Sequence, residues 1–179
     1  HSDLLLGLVS ANAEWWPRLR EAYDTMANCA GPEDVFLALR GLRTMELRLR
    51  EAERQGLALA TWLSGRPEVA RVLHPALESH PQHALWKRDF TGACGLFAIE
   101  LKPVGRPALA AFLDGLKLFG MGASWGGFES LIIPFNAAPI RTATTWAPKG
   151  PTLRLHIGLE AVEDLKADLA LGFERLAGA

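Results

Sequence analysis

The sequence has little of several features that would assign a function directly. Its two cysteines, Cys29 and Cys94, lie far apart and match no metal-binding or redox spacing. The net charge is −1, so no basic surface argues for nucleic acid or an anionic membrane. No apolar run approaches the roughly 18 residues of a membrane-spanning helix, and no segment resembles a signal peptide. We therefore expect a reduced, cytoplasmic protein that binds neither nucleic acid nor membrane.

The familiar patterns of catalytic and metal sites are also missing. The sequence contains no glycine-rich phosphate loop, nucleophile elbow or catalytic-triad pattern. His74, His80 and His83 occur in "HPALESHPQH", which lacks the tight ligand spacing of a zinc site, so no metal is expected. Glu129, between apolar residues, is interpreted as a structural carboxylate with satisfied hydrogen bonds rather than an acid catalyst.

The first 42 residues predict a strand followed by helices. The chain begins at His1, and the continuous apolar stretch "LLLGLVSA" is typical of a strand buried on both faces. The segment "EWWPRLREAYDTMANC" predicts a helix with Pro17 in its first turn, and "GPEDVFLALRGLRTM" predicts a second helix that begins with acidic residues. Because native N-termini are usually polar, we expect the chain to start inside a larger protein.

From Met45 onwards, apolar residues recur every three or four positions, which predicts a long amphipathic helix that ends near Pro67. Shorter elements follow. Strands are expected in "EVARVLHP", "GLFAIELK", "LIIPF" and "TLRLHIGL", and helices in "PQHALWKRDF", "PALAAFLDGL" and from Val162 onwards. This order indicates an α/β to α+β fold class, in which residues 43–179 form a small α+β domain with a largely antiparallel sheet.

The stretch "GMGASWGGFESLIIP", residues 120–134, places Ser124 and Trp125 between glycines, directly before an apolar strand. Glycines permit a backbone path that other residues resist. A bulky indole at the centre of such a turn either closes a pocket or plugs the loop onto the core. From the residues alone, the plug is the favoured interpretation.

The strand "TLRLHIGL" carries the second candidate residue. Its period of two separates one face, Leu153, Leu155 and Ile157, from the other, Thr152, Arg154 and His156. A guanidinium is costly to bury unless an anionic group meets it. Arg154 is therefore expected to have either a structural carboxylate partner or an anionic ligand, and the first is the commoner case for a lone arginine.

Six stretches, in order and over nearly the whole chain, resemble the C-terminal half of one enzyme family. They are "HSDLLLG", "LALRGLRTMELRLR", "VARVLHPAL", "WKRDFTGACGLF", "SWGGFESLI" and "LRLHIGLEAVEDLKADL". The family comprises the pyridoxal-phosphate (PLP) enzymes of cysteine and methionine metabolism, with the aspartate-aminotransferase-like fold (fold type I). "GLRT" is shared across the family, whereas "WKRDFTG" and "SWGGFES" are more specific. Trp125 favours the cystathionine β-lyase branch, because the γ-synthase and γ-lyase branches usually have leucine there.

The resemblance implies how the chain is organised. Residues 1–42 correspond to the end of the large PLP-binding domain, and residues 43–179 to the C-terminal small domain. The family lysine that bonds to PLP lies just upstream of the residue matched by His1. The aspartate that pairs with the pyridine nitrogen and the residues that grip the phosphate also lie upstream. No catalytic residue is therefore expected within this chain, and its cofactor-binding residues stay unassigned.

The resemblance also implies a substrate site. Arg154 matches the arginine that binds the substrate α-carboxylate, Ser124 matches a serine beside the cofactor, and Trp125 borders the same pocket. The glycine-rich turn is then expected to present Ser124 and Trp125 to an amino acid held by Arg154. Ala123 departs from the pattern, because close β-lyase relatives have a tyrosine there.

The implied activity is that of a PLP-dependent carbon–sulfur lyase, which cleaves cystathionine to homocysteine, pyruvate and ammonia in methionine biosynthesis. The implied assembly is a homotetramer, a dimer of dimers that includes the N-terminal half of the same polypeptide. Two alternatives stay open. The protein could belong to another branch, such as cystathionine γ-synthase, methionine γ-lyase or cysteine-S-conjugate β-lyase, or the chain could be a non-catalytic interaction module if 179 residues are the whole product.

Overall fold

The computed structural model describes residues 1–178, and the chain divides into two compact units, His1–Glu46 and Leu47–Ala179. In the first unit, helix α1 spans Trp16–Met26 and helix α2 spans Pro32–Leu42. Helix α2 begins at Pro32 and α1 has Pro17 as its second residue, and the missing N–H of proline costs nothing in a first turn. The assignment of residues 1–42 to the end of a PLP-binding domain stays a prediction.

The strand predicted in "LLLGLVSA" is wrong. Residues 4–11 form no helix or strand, and Leu5 and Leu8 are almost fully exposed. A strand needs a hydrogen-bonding neighbour, and among the described residues of the first unit there is no other strand to supply one. A continuous apolar run is thus compatible with burial but does not by itself specify a strand.

The second unit contains a five-stranded sheet and four helices. The helices are α3 (Met45–Ser64), α4 (His83–Asp89), α5 (Arg106–Asp114) and α6 (Val162–Gly178), and a short 3₁₀ turn spans Ala138–Ile140. The strands are β1 (Val69–Leu73), β2 (Leu96–Leu101), β3 (Gly120–Met121), β4 (Leu131–Pro134) and β5 (Thr152–His156). Except for β3, each of these strands and helices was predicted from the sequence.

The sheet has the strand order β1-β2-β5-β4-β3. The pairs β1–β2, β2–β5 and β4–β5 are antiparallel, whereas β3 and β4 run parallel. The predicted sheet is therefore confirmed as largely antiparallel, with one parallel pair at its edge. Strand β5, which comes last in the chain, occupies the centre of the sheet, with Arg154 opposite Ala98 on one side and Ile133 on the other.

The core lies on one face of this sheet. Helices α3, α5 and α6 cover that face, and the ring centroids of Phe112 on α5 and Phe173 on α6 are 5.0 Å apart. Gly172 permits this approach, because a Cβ atom there would stand 2.9 Å from the Phe112 ring. The fully buried side chains of β5 are Leu153 and Leu155, followed by Ile157. Within residues 1–178, no helix is both long and apolar enough to cross a membrane.

Candidate functional site

The candidate site is built around residues 122–127, here called the glycine turn. This turn follows β3 directly and forms the first part of the connection to β4. Gly120 and Met121 pair with Leu131 and Ile132, so both ends of the connection are fixed in the sheet. Gly126 has a φ of +85°, and a Cβ atom at this position would meet nothing within 4 Å. Glycine is needed there for its left-handed backbone rather than for space.

Arg154 holds the first half of the glycine turn. Its Nη2 atom donates to the carbonyl oxygen of Ala123 at 2.6 Å and of Ser124 at 3.2 Å, and reaches that of Gly122 at 3.5 Å. No carboxylate of residues 1–178 pairs with this guanidinium. Its Nε atom is buried and has no partner in the same part of the chain. Of the two partners expected from the sequence, neither is observed within residues 1–178, where Arg154 binds backbone carbonyl groups instead.

His156, two residues further on the same face of β5, contacts the second half of the glycine turn. The backbone N–H of Gly126 points at its ring, 3.3 Å from Nδ1 and 3.1 Å from Nε2. The Nε2 atom also lies 3.1 Å from the carbonyl oxygen of Gly127. Thr152, the third residue of this face, donates to the carbonyl of Phe135 at 2.6 Å. The face predicted to be polar thus binds the backbone of the segments that cross it.

Buried polar groups fix the segments on both sides of the glycine turn. Asp168, on α6, accepts hydrogen bonds from the N–H groups of residues 117–119, ahead of β3. On the other side, Glu160 accepts bonds from Ser130. Gly158 packs so closely that a Cβ atom would collide with the Phe128 carbonyl. The backbone on both sides of the glycine turn is therefore held in place by hydrogen bonds.

The structure places the three sequence-predicted site residues together. Ser124 and Trp125 are neighbours in the glycine turn, and Arg154 binds the carbonyl of Ser124. Trp125 is 64% exposed, so the interpretation that its indole plugs the loop onto the core is wrong. A plugging indole would have lost most of its accessible surface. The structure thus leaves Ser124 and Trp125 exposed.

One other interpretation from the sequence needs correction. Glu129 is exposed and makes no hydrogen bond within residues 1–178; the satisfied carboxylate is Glu160, whose partner Ser130 follows Glu129 directly.

His74 is a buried histidine outside the candidate site. Its Nδ1 atom accepts the N–H of Ala76 at 3.2 Å. Burial lowers the pKa of His74, and the nearby Cys94 carbonyl offsets part of that effect.

The lysines of this chain do not have the surroundings of a residue that attaches a cofactor covalently. A lysine that bonds covalently to a carbonyl cofactor needs a desolvated or charge-tuned amine. The lysines of this chain are exposed, except for the half-buried Lys166, whose ammonium pairs with Glu163 at 2.8 Å. They are Lys87, Lys102, Lys117, Lys149 and Lys166. No group of three possible metal ligands occurs in the described part of the chain.

His156, Glu160 and Asp168 are site-supporting residues that the sequence analysis did not assign. The alternation of β5 placed His156 on the Arg154 face, which was a usable signal. Nothing in the sequence beside Glu160 or Asp168 indicates which groups they bind. Their partners are backbone N–H groups and the Ser130 hydroxyl, 30 or more residues away, which residue types alone do not reveal.

Comparison with known proteins gives a consistent result. The family model of the Cys/Met metabolism PLP-dependent enzymes matches residues 1–174. The cystathionine beta-lyases of Salmonella typhimurium and Escherichia coli K12 are 47% and 45% identical, and each alignment covers 98% of this chain and 46% of the relative. Cystathionine gamma synthase from Xanthomonas oryzae, solved in complex with cystathionine, has a TM-score of 0.79 at 37% identity, covering 95% of this chain and 45% of that one.

The chain spans less than half the length of these relatives. The expected PLP-dependent transferase fold, fold type I, is confirmed by the solved structures. The match extends over both compact units, including α1 and α2, and over the strands that carry the candidate site. The chain belongs to the family of Cys/Met metabolism PLP-dependent enzymes.

Proposed function

We propose that this chain forms the substrate-binding part of a PLP-dependent carbon–sulfur lyase that acts on cystathionine by β-elimination. The observation that carries the proposal is Arg154. Its guanidinium lies beside the exposed Ser124 and Trp125, lacks a carboxylate partner within residues 1–178, and keeps a buried Nε atom without a partner. A buried donor without a partner is costly, and a carboxylate ligand would remove that cost.

In this proposal, each residue of the chain has a limited task. Arg154 binds the α-carboxylate of the amino acid and thereby fixes its orientation, because a guanidinium can hold both carboxylate oxygens in one plane. Ser124 presents a hydroxyl that can accept or donate one hydrogen bond to the bound amino acid. Trp125 forms an apolar wall that excludes water from one side of the substrate.

The cofactor would supply the electron sink that allows a bond to the β-carbon to break. We assign no residue of this chain to hold PLP, because none of its lysines is buried and the resemblance puts the anchoring lysine upstream of His1. The chain's own contribution is to orient the substrate so that the bond at Cα stands in the reactive direction. The cytoplasmic location and the homotetramer that the resemblance implies stay predictions.

A second candidate is γ-cleavage or γ-replacement on the same substrate. It is supported by the likeness to the Xanthomonas oryzae cystathionine gamma synthase and by 37% identity to rat cystathionine gamma-lyase. Trp125 is the residue that favours β-elimination, since the sequence resemblance associates a leucine at this position with the γ branches. At position 123, alanine leaves more room beside Trp125 than a tyrosine would.

The test is product analysis with the intact protein, PLP and cystathionine. β-Elimination releases pyruvate, ammonia and homocysteine, whereas γ-elimination releases 2-oxobutyrate, ammonia and cysteine. We expect pyruvate and homocysteine in equal amounts. Release of mainly 2-oxobutyrate would assign the protein to the γ branch. The absence of both pyruvate and 2-oxobutyrate would overturn both candidates.

A further inference from the structure

We propose that His156 is a positioning residue that fixes the conformation of the glycine turn through the contacts of its imidazole with the backbone of Gly126 and Gly127. His156 is 4% exposed and lies on β5 between Leu96 of β2 and Leu131 of β4. In the described part of the chain, its ring contacts two backbone groups of the turn, the N–H of Gly126 and the carbonyl of Gly127. The inference rests on the proposed function only where it concerns substrate.

The ring can bind both backbone groups of the turn. The Gly126 nitrogen lies 3.3 Å from Nδ1 and 3.1 Å from Nε2, and Nε2 lies 3.1 Å from the Gly127 oxygen. An imidazole with a proton on Nε2 can donate to the Gly127 oxygen, and the ring nitrogen without a proton can accept the Gly126 N–H. One side chain thus contacts two successive residues of the turn.

The position of these bonds explains what they hold. Arg154 binds the carbonyl groups of residues 122–124, and His156 binds the backbone of residues 126–127. The two side chains lie on the same face of β5, roughly 7 Å apart along the strand. Trp125 is the residue between the two attachments. The direction of its indole is therefore set by both ends, although the indole itself is exposed.

Gly126 makes the second attachment necessary. Its φ of +85° is a conformation that a glycine occupies readily but also leaves readily, because a glycine backbone has many accessible alternatives. The hydrogen bond from its N–H to His156 is the contact that selects this conformation. Without it, the turn beyond Ser124 would sample other backbone states, and the pocket wall formed by Trp125 would lose its fixed position.

A graded series of variants in the intact protein tests the proposal. His156→Leu removes both hydrogen bonds, His156→Asn can keep only the acceptor for Gly126, and His156→Gln can supply one acceptor and one donor. Thr152→Val is the matched control, because it removes a buried hydrogen bond from the same face of β5 without touching the glycine turn. The first measurement is amide hydrogen exchange in peptides covering residues 122–128, which requires no substrate.

We expect exchange at Gly126 and Gly127 to be at least tenfold faster in His156→Leu, intermediate in His156→Asn, and within about threefold of wild type in His156→Gln and Thr152→Val. We also expect His156→Leu to raise KM for cystathionine about tenfold with a smaller change in kcat, and His156→Gln to restore most of it. If His156→Leu does not fold, the comparison of the Asn and Gln variants decides the same point.

Two results would overturn the proposal: unchanged exchange of the turn amides in the Leu and Asn variants, or faster exchange with unchanged KM and kcat/KM. If wild-type protein releases no product from cystathionine, the proposed function fails independently. The hydrogen-exchange order then still decides whether His156 holds the turn.

Discussion

Glu160 accepts two hydrogen bonds from a single residue, Ser130: one from its backbone N–H at 2.8 Å and one from its hydroxyl at 2.7 Å. The same hydroxyl accepts the N–H of Gly158 at 2.9 Å. Three consecutive bonds thus join the start of β4 to the segment after β5. Because Ser130 is fully buried, water cannot replace these bonds without opening the structure.

Replacement of Glu160 should therefore destabilise the fold. Glu160→Ala leaves the N–H and hydroxyl of Ser130 unsatisfied, which we expect to lower the free energy of unfolding by about 1–3 kcal/mol. Urea denaturation of the intact protein measures this change. The exposed neighbour carboxylate supplies the control: Glu129→Ala should change the free energy by less than about 0.5 kcal/mol. Equal effects of the two substitutions would contradict the structural role of Glu160.

Trp125 should matter for activity and little for stability. Its side chain is 64% exposed, so Trp125→Leu is expected to change the free energy of unfolding by less than about 0.5 kcal/mol. Loss of the pocket wall should lower kcat/KM for cystathionine about tenfold, or about 1.4 kcal/mol of transition-state stabilisation. Phe90→Leu, at another aromatic residue of the same unit that is 63% exposed, is the matched control. A large fall in melting temperature with unchanged kinetics would show that the indole is structural.

Arg154 should be the most sensitive residue of the site. Removing one partner of a charge pair that is desolvated in the complex costs about 2–5 kcal/mol, so Arg154→Ala should lower kcat/KM roughly 30- to 4000-fold. Arg154→Lys should recover only part of this loss, because an ammonium group cannot reproduce the planar pair of hydrogen bonds. PLP should stay bound, which its visible absorbance reports.

The control for Arg154 is Arg141→Ala, which removes an exposed guanidinium that donates to Thr144 at 3.0 Å. It should keep kcat/KM near the wild-type value. If Arg154→Ala stayed within about threefold of wild type, the assignment of the carboxylate site would be wrong. Loss of PLP or of the fold in Arg154→Ala would instead identify a structural role, through the carbonyl groups of the glycine turn.

His74 should make stability fall in mildly acidic solution. Burial lowers its pKa in the folded state below the usual value of about 6.5, so the unfolded chain binds the proton more tightly. The free energy of unfolding should therefore be unaffected by this group above pH 7, and should decrease as the pH falls below about 6.5. The measurement is the urea midpoint of the intact protein at pH 7.5 and 5.5.

The matched variant is His74→Phe, which keeps an aromatic ring next to Phe97, whose ring centroid lies 5.5 Å from that of His74. Its difference in midpoint between the two pH values should be smaller than that of wild type. An equal difference would assign the pH dependence to other groups.

The secondary structure of the second unit was largely predictable, because its helices and strands have clear periodicity. The alternation in "TLRLHIGL" predicted the buried face of β5 correctly, and Arg154 was found on the opposite face. Strand β3 was not predictable: it has two residues, Gly120 and Met121, both exposed, and it exists only because β4 lies beside it. A pairing between residues eleven positions apart, Gly120 with Leu131 and Met121 with Ile132, is a tertiary property.

The partners of the site residues were the least predictable feature. The sequence predicted that Arg154 binds a carboxylate or another anion. Its observed partners are carbonyl groups of the glycine turn, and every residue type carries a carbonyl group. The sequence also does not distinguish Glu129 from Glu160. Both are glutamates near apolar residues, and only the fold brings Ser130 within hydrogen-bonding distance of Glu160.

The central position of β5 has a consequence for a chain that is cut short. The pairs β1–β2 and β3–β4 meet only through β5. Until residues 152–156 arrive, β2 and β4 each keep an unpaired edge, which is prone to join other chains. Closing the sheet also brings Arg154 and His156 beneath the glycine turn. A chain interrupted before Thr152 would therefore lack both the central strand and the two side chains that bind the glycine turn.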